Sequence, residues 1–450
     1  MDTIFALASA RGPASGVAII RTSGPAAFES LQALTGKPLP PLRKAVLSTL
    51  KDPVSRGTVD TALILTFKAP HSFTGEDIVE YHVHGGPAVI QHLLDTLSRQ
   101  PAHRMAEPGE FTRRAFQNGK MDLTEAEGLA DLIHAETELQ KAQALSQMNG
   151  ALATLYDGWR DKLTRILAHV EADLEFPDED LPEGILPKLT PEIETLANAI
   201  NSHLSDNRRG ERLRGGIKIA VIGAPNAGKS SLVNALTQRE VAIVSALPGT
   251  TRDIIETHLD IGGYPVILSD TAGLRPEQLE ESGPADTLSH DAIESEGIRR
   301  ALTRAREADI KILLYDGTQE DIDPHTQALE DETALIVINK ADENLRLNHP
   351  SNPLKISAKT GSGFPEFLAA LESKIAALIG KDESPALTRP RHRAALEDCR
   401  ECLSRALTAP LPELAAEDLR LSIRALGRLT GRVDVEDLLD VIFRDFCIGK

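Results

Sequence analysis

Residues 217–230 read IKIAVIGAPNAGKS. The first six form an apolar β-type run interrupted by a single lysine, the pattern of a strand buried on both faces of a parallel sheet. Gly223, Gly228, Lys229 and Ser230 then satisfy GxxxxGK[ST], and SLVNAL behind them reads as a helix. Strand, loop and helix therefore stand in the order a phosphate-binding loop requires. Glycines let backbone N–H groups close on phosphates, a lysine supplies a point charge for the β and γ phosphates, and a serine hydroxyl is a magnesium ligand. Asn226, Ala227, Gly228, Lys229, Ser230 and Ser231 are the nucleotide contacts expected here.

Four further elements follow in the order expected of a GTP site. PGTTRD, preceded by Ser245, Ala246 and Leu247, offers Pro248, Gly249, Thr250 and Thr251 as a switch that closes on the γ-phosphate, with Thr251 beside Ser230 as a magnesium ligand. VILSDTAG places Asp270 at the end of a second apolar run, with Thr271, Ala272 and Gly273 behind it. A carboxylate there holds magnesium through water. LIVINKAD ends a third run, and in it Asn339, Lys340 and Asp342 form NKxD. The aspartate accepts two hydrogen bonds from guanine N1 and the exocyclic amine, a donor pair that adenine lacks. ISAKTG supplies Ser357, Ala358 and Lys359 against the base. The five elements together exclude an ATPase. Leu274 follows DTAG where many GTPases carry a water-orienting glutamine, so another group must place the water.

The chain has 450 residues, enough for about three domains, each with its own core. No apolar run approaches the length of a membrane span, and the N-terminus MDTIFALASARG lacks the basic start and long apolar stretch of an export signal. Three cysteines, Cys399, Cys402 and Cys447, make no disulfide framework, and a reducing cytoplasm is expected. A net charge of −18 excludes a surface that binds nucleic acid throughout and confines any RNA contact to local basic clusters. Those are Arg208, Arg209, Arg212, Arg214 and Lys218, and Arg389, Arg391, Arg393 and Arg400. Solvated helix ends are the plainer reading of both.

Around the nucleotide motifs the pattern changes character. Up to about Gly119, β-like runs (GVAIIRT, TALILTF, DIVEYHV) alternate with turns and one helical stretch, a small α+β domain. From Leu123 to about Glu175 apolar residues recur at helical spacing, the acidic, proline-rich FPDEDLPEGILPKLTP breaks the pattern, and PEIETLANAINSHL resumes it. Helical spacing returns after Lys381. The expected fold is multidomain α/β plus α: an N-terminal domain over 1–119, a discontinuous helical domain over 120–216 and 381–450, and a Ras-like P-loop G domain inserted at 217–380.

The whole chain resembles the MnmE (TrmE) family of tRNA-modification GTPases. Beyond the nucleotide motifs the likeness is carried by DTIFALA, GVAIIRTSGP, HSFTGEDIVEYHVHGGP, PGEFTRRAFQNGKMDLTEAEGLADLI and the terminal FCIGK. It implies an N-terminal domain that binds a tetrahydrofolate derivative, in a 5-formyl or methylene form, and drives homodimerisation. It also implies an FAD-dependent MnmG-type partner that completes a heterotetramer. Together the two proteins would install a carboxymethylaminomethyl group at C5 of the wobble uridine of certain tRNAs. Arg21, Glu80 and Lys120 match the folate positions, and Lys450 would meet a folate carboxylate. Asn226 matches a potassium ligand completed by Ser245, Leu247 and Thr250. Glu294 aligns with a water-positioning glutamate, although EQLEESGPADTLSH lengthens the preceding switch and leaves Glu296 as the alternative. Cys447, in a C-[ILV]-G-K tail, would act in the modification step.

Weighed without the resemblance, Arg21, Glu80 and Lys120 are ordinary surface charges. Cys399 and Cys402 form a CxxC in a helical pattern with no second pair, which reads as two packed thiols. His82 and His84 alternate on a strand without further ligands, which reads as local hydrogen bonding. Two competing functions remain: a ribosome-assembly GTPase switch, and a folate-binding scaffold with vestigial hydrolysis. FCIGK and the folate-type residues oppose the first, and the intact nucleotide motifs oppose the second.

Overall fold

The computed structural model describes residues 2–9, 15–175, 185–238, 256–269, 305–351, 353–380, 384–433, 436–444, 446 and 448–449. They fall into two compact units, one of residues 1–130, 147–194 and 398–450, the other of residues 131–146 and 195–397. No helix among the described residues is long and apolar enough to cross a membrane.

In the first unit six strands, β1 (Thr3–Leu7), β2 (Val17–Ser23), β3 (Val46–Lys51), β4 (Thr58–Phe67), β5 (Ile78–His84) and β6 (His103–Met105), form a sheet of order β3-β4-β5-β2-β1-β6. Only β1 and β6 run parallel, as expected of an α+β layer. Two-residue alternation turns Ile20, Ile64, Val79 and Tyr81 to one face, where Leu31 and Leu34 of the helix Ala27–Thr35 and Leu93 and Leu97 of Pro87–Ser98 bury them. The opposite face carries Arg21 and Glu80 and stays open toward β3 and β4, where the register partners Leu47 and Leu63 are 67% and 38% exposed.

The helical stretches that flank the nucleotide motifs meet in the same unit. Ala151–Glu175 packs along Pro412–Thr430, with Arg420 paired to Glu171 and Arg432 to Asp157. One expectation differs from the structure. The sequence places GILPKLTP in the break, yet the helix begins at Ile185 and runs to Leu204 with Pro191 inside it. Leu189, Ile193, Leu196, Ile200 and Leu204 form a buried stripe along it, which offsets the hydrogen bond lost at the proline.

The second unit is built on β7 (Ile217–Ile222), β8 (Glu256–Ile261), β9 (Tyr264–Ser269), β10 (Ile310–Asp316), β11 (Ala334–Asn339) and β12 (Leu354–Lys355), in the order β12-β11-β10-β7-β9-β8. All neighbours are parallel except β8 and β9. The apolar run of β7, broken only by the exposed Lys218, is explained by cover on both faces. Ile217, Ile219 and Val221 pack with Leu232, Leu236, Phe364 and Phe367, while Ala220 and Ile222 pack with Leu313, Tyr315 and Ile338. Each valine, leucine, isoleucine and phenylalanine among them contributes roughly 1.5–3 kcal/mol on burial. The neighbours of β7 are β9 and β10, so the chain crosses over to opposite sides of it and opens a crevice at its carboxyl end.

Candidate nucleotide site

That crevice is where the GxxxxGKS loop emerges. The helix Lys229–Leu236 starts directly behind it, with Gly228 at its N-cap, so its first N–H groups and the positive end of its dipole face the crevice. Gly228 has φ +97°, and a Cβ there would lie 2.1 Å from Asn339 Nδ2, so no other residue fits without moving the base-side loop. The Lys229 ammonium donates to the carbonyls of Gly223 at 2.8 Å and Ala224 at 3.0 Å, which arches its charge over its own loop.

Asn339 ties the motifs together. Its Nδ2 donates to Ala227 O at 2.9 Å and its Oδ1 accepts from the Ala358 N–H at 3.0 Å, so one buried amide joins the phosphate loop, NKxD and SAK. Lys340, at φ +64°, donates from Nζ to Asp316 Oδ2 at 2.6 Å. Burial alone would raise the Asp316 carboxyl, but hydrogen bonds from Lys340 and Thr318 outweigh it and hold it below the usual carboxylate range. The Asp342 carboxyl is also held low, chiefly by a hydrogen bond from the Ser357 side chain, with the Lys359 charge adding to it. It is thus an ionised acceptor at neutral pH.

Asn226, Gly228, Lys229, Ser230 and Ser231 on one side and Asn339, Lys340, Asp342, Ser357, Ala358 and Lys359 on the other line a single cavity of about 650 Å³. Ala227 lies beneath it, fully buried. Pro225 and Glu343 complete the lining and were not singled out from the sequence, nor was Asp316, although an acidic residue ending the apolar run of β10 is the same signal that marks Asp270. Ser245, Ala246, Leu247, Pro248, Gly249, Thr250, Thr251, Asp270, Thr271, Ala272, Gly273, Glu294, Glu296, Cys447 and Lys450 lie outside the described residues.

Comparison with known proteins agrees from end to end. The pattern of the MnmE helical domain matches residues 123–447, and that of the GTP-binding protein TrmE N-terminus matches residues 3–120. The tRNA modification GTPase MnmE of Parvibaculum lavamentivorans is 53% identical over 454 residues, covering 100% of both chains. The chain belongs to the MnmE family. The MnmE of Rhodospirillum rubrum is 50% identical over 467 residues, again with 100% of both chains covered. Among solved structures, the G domain of the T. maritima FeoB iron transporter is 24% identical over 36% of this chain and 99% of its own, at a TM-score of 0.24, from which nothing further follows.

The residues matched to the family's folate positions lie on the N-terminal sheet. Arg21 and Glu80 are register partners on β2 and β5, and Arg21 donates from Nε and Nη2 to Glu80 Oε1 at 3.0 and 2.9 Å. The Arg21 guanidinium also lies 5.4 Å from the Phe73 ring centre and 5.7 Å from that of Phe111. Lys120 is anchored by Pro70 O at 3.0 Å, on the same 70–76 loop that carries Phe73. Around the C-terminal tail, Phe446 packs with Leu123 and Phe443, and Ile448 bridges Pro108. Gly449, at φ +102°, passes so close to β1 that a Cβ would lie 2.1 Å from Leu7 O. Since Ala6 of β1 pairs with Arg21, Gly449 lies against the strand next to the matched pair.

The other motifs resolve plainly. Cys399 and Cys402 are both buried and unbridged. His84 Nδ1 lies 2.9 Å from Asp60 Oδ1. Arg212 pairs with Asp309, Arg214 and Arg389 with Asp131, and Arg393 with Asp206 and Glu211, so these basic residues are committed to internal ion pairs. No cluster of three or more His, Cys, Asp or Glu able to hold a metal occurs among the described residues.

Proposed function

We propose that this protein is a GTP hydrolase acting in tRNA modification. The observation that carries the reading is the Asn339 amide, which fixes the phosphate loop and the base-side loop on opposite walls of one cavity. Guanine is selected by the ionised Asp342, and the triphosphate by Lys229 and the N–H groups that open the helix Lys229–Leu236. The cavity fits magnesium in that Ser230 lines it, with Thr251 as the second protein ligand; the ion would neutralise charge on the β and γ oxygens. Asn226, on the wall of the same cavity, would hold potassium with Ser245, Leu247 and Thr250, supplying positive charge where the transition state becomes more negative. Water is placed by Glu294, with Glu296 as the alternative.

In the same reading the 1–119 domain binds tetrahydrofolate, as the 5-formyl or methylene derivative, around Arg21, Glu80 and Lys120. The polar pair lies beside two aromatic rings, a donor set suited to a flat, polar heterocycle with an acidic tail. Lys450 and Cys447 belong to a tail in which Gly449 lies against β1 and Ile448 bridges Pro108. The open sheet face with exposed Leu47 and Leu63 suits a second copy of the chain. The domain order 1–119, 120–216, 217–380 and 381–450 follows the family resemblance. An FAD-dependent MnmG-type partner and tRNA complete a cytoplasmic assembly that modifies C5 of the wobble uridine.

The test is nucleotide hydrolysis by the full chain in potassium and in sodium. GTP turnover that exceeds ATP turnover, is faster in potassium and loses that preference in Asn226→Ala is the expected result. Equal turnover of both nucleotides would remove the reading.

A further inference from the structure

Within the second unit, the segment of residues 131–146 holds the rest of that unit at two places that bear on the nucleotide cavity. Gln140 opens the helix Glu138–Met148 in a capping box: its N–H donates to Thr137 Oγ1 at 3.3 Å, and its Oε1 accepts from the Thr137 N–H at 3.2 Å. That leaves Gln140 Nε2 to donate to Arg214 O at 3.2 Å, while Gln143 Nε2 donates to Gly210 O at 3.2 Å and Asp131 Oδ1 accepts from Arg214 Nε at 2.8 Å. Residues 210 and 214 lead directly into β7, the strand that carries the phosphate loop.

The second grip is on the β8–β9 hairpin. Glu136 stands immediately before the Thr137 cap, and its Oε2 accepts a hydrogen bond from His258 Nδ1 of β8 at 3.1 Å. At the hairpin turn, Leu139 lies 3.6 Å from where a Cβ of Gly263 would be. On the other side Glu372 stands so close that a Cβ on Gly262 would lie 2.5 Å from its Oε1. The other end of the hairpin emits the sequence PGTTRD before Glu256 and DTAG after Ser269, and Glu256 and Ser269 are register partners. His258 sits two residues from that end, so any shift of β8 at His258 displaces both exits together.

From this arrangement we propose that Glu136 and His258 are positioning residues for GTP hydrolysis: their hydrogen bond lets the 131–146 segment set the hairpin against β7. The proposal rests on the GTP hydrolase reading above. It concerns turnover and not nucleotide affinity, because neither residue lines the cavity.

The experiment measures GTP turnover per folded molecule, KM and GTP affinity for the full chain. The variants are Glu136→Ala, His258→Leu, the double variant and His258→Asn, in which the amide N–H₂ replaces the Nδ1–H donor. Each disruptive single change should lower kcat by about threefold or more with affinity unchanged, and the double change should be no worse than the poorer single. His258→Asn should stay near the parent rate. Unchanged kcat, additive losses, loss of GTP affinity, or a fall in thermal stability alone would each overturn the proposal. A parent chain that hydrolyses no GTP would instead overturn the function on which it rests.

Discussion

Asn339 reaches from the end of β11 to the phosphate loop and donates to the carbonyl of Ala227 at 2.9 Å. The same amide accepts from Ala358, so replacing it with alanine leaves a buried carbonyl and a partly buried N–H without this partner. Such losses cost about 1–3 kcal/mol each. Asn339→Ala should therefore weaken GTP binding about tenfold or more, measured by calorimetric titration. Affinity equal to that of the parent would contradict the bridging role.

Asp342→Asn exchanges an acceptor for a donor at the base. GTP binding should fall, and a xanthine nucleotide, which offers an acceptor where guanine has its amine, should bind better to the variant than GTP does. Because the carboxyl is held below its usual range, the parent's GTP affinity should not decline through Asp342 between pH 8 and about pH 5. An affinity that drops across that window in the parent alone, and not in the variant, would contradict the ionised-acceptor reading.

The N-terminal unit depends on one buried cation. Arg114 donates to Asp2 Oδ1 at 3.1 Å, Glu76 Oε2 at 3.1 Å and Glu110 Oε1 at 3.0 Å with a tenth of its side chain exposed. Arg114→Met removes the cation paired with Glu76 and leaves Asp2 and Glu110 with Arg104 alone, and should cost about 3 kcal/mol in denaturant unfolding. Burial raises the Glu110 carboxyl, but hydrogen bonds from Arg104, the Glu107 N–H and Arg114 bring it below the usual range. Its folded value is thus below its unfolded one. The stability it contributes is complete above about pH 5, beyond the unfolded value, and disappears as pH falls through the lower folded value. The stability gap between parent and Glu110→Gln should narrow in acid; a constant gap down to strong acid would refute the linkage.

Cys399 is fully buried, and burial pushes its thiol up to about 12. At pH 8 only about one part in ten thousand is thiolate, so a disulfide exchange reagent should leave Cys399 unmodified until the protein unfolds. Rapid labelling of Cys399 in the folded chain, mapped by peptide mass spectrometry, would show that the helix opens on that timescale.

Much of this was legible in the chain itself. The β7 run and its GKS loop announce a parallel sheet and a phosphate site because both faces of that strand are covered, and Asn339, Asp342 and Lys359 follow at strand ends. The pairing of Ala151–Glu175 with Pro412–Thr430 was reachable only as the simplest arrangement, since helical spacing fixes a buried face and not its partner. Pro191 signals a break, yet it sits inside a helix because a buried stripe of five residues outweighs one missing hydrogen bond. The Glu136–His258 contact joins residues 122 apart in sequence, and no local pattern marks such a pair.

The most direct test of the central claim is mass spectrometry of wobble nucleosides in tRNA from cells with and without this protein. The account predicts that the C5 carboxymethylaminomethyl group disappears from the wobble uridine when the protein is absent, and returns with the parent gene but not with Lys229→Ala. Unchanged wobble modification in cells lacking the protein would contradict it.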